Sequence, residues 1–250
     1  MERRSPGGPA ALGADRVDEA GLGRRGLAEF LGTFALTFVA AGGEVIDAAS
    51  HGAVGAGARV IAPGLVVAAL IYSIGDVSGA HFNPVVTLAF SLRRVFPLRY
   101  LPLYWAAQVG GACAAAAALR ALFGLTGDVG GTQPRLGTGR GFIMEMILTA
   151  LLVFVIVSTA TRHSLVGNDT ALAVGGTIAL CGLFGAPVSG ASMNPARSLG
   201  PALVSGITAH LWVYVAGPVI GAALALLLAS ALHPHRTKGE HAAAQGDGLQ

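Results

Sequence analysis

Ser78-Gly79-Ala80-His81-Phe82-Asn83-Pro84 returns about 110 residues further on as Ser189-Gly190-Ala191-Ser192-Met193-Asn194-Pro195. Other landmarks recur in the same order. Glu29 opens Glu-Phe-Leu-Gly-Thr and Glu145 opens Glu-Met-Ile-Leu-Thr, while Trp105 with Gly110 reads against Trp212 with Gly217. Each copy of the motif lies among three apolar segments, 26–45, 60–74 and 100–123 in the first half, 141–161, 171–186 and 209–232 in the second. Three is odd, so the second half enters a bilayer from the side opposite to the first. The chain therefore reads as an inverted repeat about an axis in the membrane plane, with the two Asn-Pro motifs facing each other.

The composition agrees with membrane spans. Of 250 residues, 53% are hydrophobic and only 12% charged, a balance that argues against a soluble enzyme. Residues 100–119, 171–196 and 199–232 contain no Asp, Glu, Lys or Arg, and runs of that length suit a hydrocarbon core. They do not alternate as barrel strands would, so the fold class is an all-α membrane protein with six spans. A net charge of +3 comes from basic residues scattered between the spans, without the stripe a nucleic acid needs, and no nucleic-acid partner is expected. Cys113 and Cys181 both fall in apolar runs and read as small buried hydrophobes. Neither a Gly-x-Ser-x-Gly elbow nor a His-Glu-x-x-His pair occurs, and His81 and His210 lack partners at ligand spacing. No enzyme activity, metal or cofactor is expected.

Residues 1–25 and 233–250 read as disordered tails around a channel domain at 26–232, whose repeats are 26–123 and 141–232. Arginine and lysine fix the orientation. Those of the amino-terminal tail, Arg93, Arg94, Arg99, Arg162, Arg236 and Lys238 share one side of a six-span arrangement, which the positive-inside rule makes cytoplasmic for both termini.

After each Asn-Pro comes an apolar stretch, 85–92 and 196–203, too short to span. At ~1.5 Å per residue, ~10 helical residues cover half of a ~30 Å core, so two of them make one span. Proline suits the first helical position and pushes the residue before it out of helical geometry, which makes Asn83 and Asn194 N-caps and Pro84 and Pro195 the first helical residues. Each helix start carries about half a positive charge, and two of them meeting at mid-membrane disfavour cations and protons. With the amide oxygens spent on capping, the asparagine NH2 groups are expected to donate to whatever occupies the pore.

These residues resemble the landmarks of the major intrinsic protein family, the aquaporins and aquaglyceroporins. The likeness rests on His81-Phe82-Asn83-Pro84, Asn194-Pro195-Ala196-Arg197-Ser198, the paired Glu29 and Glu145, and Tyr104-Trp105-Ala106-Ala107-Gln108. It implies a right-handed six-helix bundle with two re-entrant half-helices, a pore in each subunit, a homotetramer in a cell membrane, and passage of water and small neutral solutes. It also implies a selectivity ring of Arg197, Ala191, Gly182 and Pro63. Water-selective members carry histidine and an aromatic where Gly182 and Pro63 stand, so the ring is expected to be wide enough for glycerol, urea or metalloid hydroxides such as arsenite and boric acid. Ser189 to Ala202 resembles the nodulin-like branch. Val85 replaces the usual alanine and is expected to alter packing between the half-helices without closing the pore. Asp76 is expected at the cytoplasmic mouth, and His81 in support of its loop. Glu29 and Glu145 either hold the re-entrant loops or serve a proton-coupled transporter, the alternative of another class. A water-selective aquaporin is the nearer alternative.

Overall fold

The computed structural model describes residues 19–161 and 169–246. Residues 1–18, 162–168 and 247–250 lie outside the described residues, and with them Arg162 and most of the expected amino-terminal tail. Six helices among the described residues are long and apolar enough to cross a membrane. They are α1 (Glu19–Ala49), α2 (Ala56–Ser78), α4 (Leu101–Phe123), α5 (Thr138–Thr161), α6 (Asp169–Ser189) and α8 (Val213–Leu232). Two half-helices, α3 (Pro84–Leu92) and α7 (Pro195–Ser205), follow α2 and α6. A last helix, α9 (Lys238–Gln245), closes the chain's described part.

The packing repeats like the sequence. Its largest interfaces are α1 with α4 and, in the second half, α5 with α8, while α2 and α6 pack on one another across the middle. Glycine permits each approach: a methyl at Gly111 would collide with the Phe30 carbonyl, one at Gly221 with the Met146 carbonyl, and Gly64 and Gly175 would each collide with the other's carbonyl. Such small-residue contacts are how helices associate where no hydrophobic effect drives them. Their outward faces stay apolar, with Leu65, Leu122, Leu172, Leu227 and Leu228 exposed.

Two expectations are corrected here. Helix α1 starts at Glu19, so residues 19–25 are helix and not tail; Arg25 is buried against the bundle. The segment after Leu232 is not wholly tail either, because Thr237 caps α9 and Glu240, fully buried, pairs with Arg93 at 2.7 Å.

The repeat's register in the third span also differs from the tryptophan pairing. Tyr104 donates its hydroxyl hydrogen to the Ser78 carbonyl at 2.8 Å and Tyr214 donates to Ser189 at 2.6 Å, so Tyr104 and Tyr214 are the equivalent pair. Trp105 instead donates to the Pro84 carbonyl, and Trp212 packs on Phe142.

Candidate functional site

The two re-entrant loops are built on one plan from the ends of α2 and α6. Glycine is needed at 79 and 190, where φ is +85° and +86°, and the left-handed run continues through Ala80 and Phe82 in one loop and Ala191 and Met193 in the other. These turns aim backbone N–H groups at a buried carboxylate. Glu29 accepts from Ser78 Oγ, the His81 and Phe82 amides and Gln108 Nε2, at 2.7 to 3.0 Å. Glu145 accepts from Ser189 Oγ and the Ser192 and Met193 amides, at 2.7 to 2.9 Å. Buried loop donors must find acceptors, and these carboxylates supply them.

Each loop ends at its asparagine. Asn83 Oδ1 accepts from the Val85 amide, and Asn194 Oδ1 from the Ala196 and Arg197 amides, so both residues cap the half-helices as their sequence predicts. Unforeseen from the sequence is where the side-chain NH2 groups go. Asn83 Nδ2 donates to the Met193 carbonyl and Asn194 Nδ2 to the Phe82 carbonyl, both at 2.8 Å. Each amide thus bridges to the opposite loop with one hydrogen and keeps one for the cavity.

Two adjoining chambers lie at and beside these caps. One chamber is lined by Pro63, Gly182, Ala191 and Arg197 together with His81, Asn83 and Asn194. A second, of about 400 Å³, is lined by Tyr72, Ser73 and Asp76 and by Ala242, Ala243 and Gly246 from the α9 region. Ala80, Val86, Ile156 and Val174 border both chambers. Val85 is buried in an apolar cluster with Tyr104, Val153 and Ala222, while Val86 faces the cavity. Fully buried Cys181 packs with Leu148 and Val174.

Arg197 donates through Nη1 to the Gly130 carbonyl at 2.9 Å. The loop that presents Gly130 is fastened nearby: Thr132 donates to Ser198 Oγ, and Arg135 pairs with Glu44 at 3.1 Å. Glu44 also holds Arg59 at 2.8 Å, and both line the chamber of Arg197. Sequence reading missed this mouth cluster, which joins the end of α1, the start of α2 and a loop ninety residues away in sequence. Gly182 carries a second constraint unseen in the sequence, since an added Cβ would lie 2.9 Å from Val60 Cβ. No group of three or more His, Cys, Asp or Glu side chains among the described residues is arranged to hold a metal ion.

Membrane-length helices in two repeats, half-helices meeting cap to cap, and two chambers adjoining at the meeting point mark a polytopic channel protein. The chain belongs to the major intrinsic protein family, whose model matches residues 17–229. It is 46% identical over 197 residues to Aquaporin NIP1-3 of Oryza sativa subsp. japonica, covering 78% of this chain and 69% of the relative. Aquaporin NIP1-1 of Zea mays is 47% identical over 197 residues, covering 78% and 70%. The solved aquaglyceroporin from Plasmodium falciparum superposes with a TM-score of 0.76 at 25% identity, covering 85% of this chain and 98% of that one. The protein is accordingly an aquaporin-type channel and not an enzyme.

Proposed function

We propose that this channel passes water together with small uncharged solutes, namely polyols, urea or metalloid hydroxides, and excludes ions and protons. The observation that carries the reading is the chamber around Arg197, to which Pro63, Gly182 and Ala191 contribute no large side chain. Arg197 offers donors to hydroxyl or carbonyl oxygens while its charge repels cations, and the spare hydrogens of Asn83 and Asn194 offer the next donors along the path. Solute acceptors are then matched at each step with no bond made or broken. Glu29 and Glu145 are occupied by loop donors and absent from the cavity lining, which speaks for the supporting role and against a proton-coupled carrier.

The basic residues near the span ends support cytoplasmic termini in a cell membrane, and the apolar outer faces of the helices suit both lipid and the neighbours of a homotetramer.

Stopped-flow light scattering on proteoliposomes tests the filter, with wild type compared to Pro63→Phe. Proline inside α2 lacks an N–H, so phenylalanine restores a helical hydrogen bond while its ring fills the chamber. Wild type is expected to pass glycerol or urea as well as water, and the variant to lose about tenfold in solute permeability with a smaller loss for water. Passage of water alone by wild type supports the water-selective reading instead.

A further inference from the structure

The short helix α9 sits at the mouth beside Asp76, packed where α2 and α5 end, and its hydrogen bonds gather on one re-entrant segment. Arg93, the C-cap of half-helix α3, forks onto Glu240 through Nε at 2.7 Å and Nη2 at 3.5 Å. The same guanidinium donates to Ser230 Oγ and to the His233 carbonyl, tying the end of α8 to the same ion pair. Beyond it, Gln245 Nε2 donates to the Val95 carbonyl at 3.1 Å. At the other end of α3, His81 Nε2 lies 3.0 Å from the Ala244 carbonyl, and its Nδ1 lies 3.1 Å from Thr87 Oγ1. A carbonyl only accepts, so Nε2 carries a proton and donates it to Ala244. Helix α9 is therefore fastened before and after the half-helix that Asn83 caps.

It also forms part of the second chamber's wall. Ala242, Ala243 and Gly246 line the second chamber together with Tyr72 and Asp76, and the Ala243 and Ala244 carbonyls crowd Gly79 so closely that a methyl there would collide. Eight residues make a helix that is marginal by itself, so α9 owes its form to the Thr237 cap and to docking. An element of that kind is either seated or unfolded, with little between.

We propose that segment 237–246 is a regulatory cap: seated, it restricts the mouth and restrains the half-helix bearing Asn83, and released, it opens the path. The inference rests on the channel reading above. Glu240 is its latch, because the carboxylate is fully buried on Arg93 and lies outside the pore lining.

The chain offers its own reporter, since its single lysine, Lys238, is the first residue of α9. Cleavage by a lysine-specific protease requires α9 to unfold locally, so its rate reads release directly. Full-length protein, Glu240→Gln and a chain ending at His235 are to be reconstituted, with water flux followed by stopped flow and cleavage followed on the first two. Glu240→Gln is expected to cleave about tenfold faster than wild type, and both altered proteins to conduct water about threefold faster per molecule. Faster cleavage with unchanged flux overturns the cap, because α9 then docks without restricting anything. Unchanged cleavage overturns the latch. Absence of flux from full-length and shortened chains alike overturns the channel reading and the cap with it, an outcome distinct from the other two.

Discussion

Glu29 and Glu145 show how one residue type fixes a pore that it does not line. Each is fully buried, each receives a serine hydroxyl and two consecutive loop amides, and among the described residues only Glu29 gains a further donor, from Gln108. An amide in place of the carboxylate has a single acceptor oxygen and points an NH2 group at donors. Glu29→Gln is thus expected to cost about 2 to 4 kcal/mol of stability, lowering the melting temperature in detergent while leaving the selectivity of the surviving folded protein unchanged. A carrier that used Glu29 to move protons behaves otherwise: the same variant abolishes pH-driven solute accumulation. Thermal unfolding and flux under a pH gradient, measured on one preparation, separate the two. Asn83 and Asn194 cap the half-helices, but their cross-loop bonds were invisible in the sequence because the acceptors, the Met193 and Phe82 carbonyls, are backbone atoms of the opposite repeat.

At the scale of elements, the two halves meet where Gly64 of α2 faces Gly175 of α6. A side chain larger than hydrogen there forces two backbones apart, so Gly64→Leu is expected to destabilise by about 3 kcal/mol or prevent assembly, whereas Gly57→Leu on the same helix meets open space and is expected to change stability by less than about 0.5 kcal/mol. Detergent-solubilised yield and melting temperature check the contrast. Elements were legible where sequence chemistry repeats: six apolar runs gave six spans, and Asn-Pro with a short apolar tail gave each half-helix. The third-span register was misread because tryptophan is conspicuous, while the residue fixed by chemistry is the tyrosine whose hydroxyl reaches the loop carbonyl. Helix α9 was missed because its polar composition reads as tail, although Thr237-Lys238-Gly239-Glu240 carries the spacing of a capping box. Its glutamate turns away to Arg93, a partner 147 positions distant in sequence.

For the molecule as a whole, inversion has an electrostatic result that neither half produces alone. Half-helices α3 and α7 start at Asn83 and Asn194, whose side chains bond across to each other's loops, so two positive helix ends converge on one stretch of the cavity. Each end is worth roughly half an elementary charge, and the dipoles of both oppose a proton arriving from either side. Arg197 adds a full charge in the same chamber, but it stands on one side of the junction and Glu44 and Arg59 share that chamber. If the helix ends supply the main barrier, then Arg197→Val widens the chamber without making it leak protons, whereas Asn194→Asp, which sets a carboxylate at the junction itself, raises proton conductance by about tenfold. The check is a pH-sensitive dye trapped in proteoliposomes, read under a proton gradient with the potential clamped, after gel filtration has shown each variant to be folded. Leakage through Arg197→Val with a tight Asn194→Asp reverses the assignment and moves the barrier from the paired half-helices to the arginine.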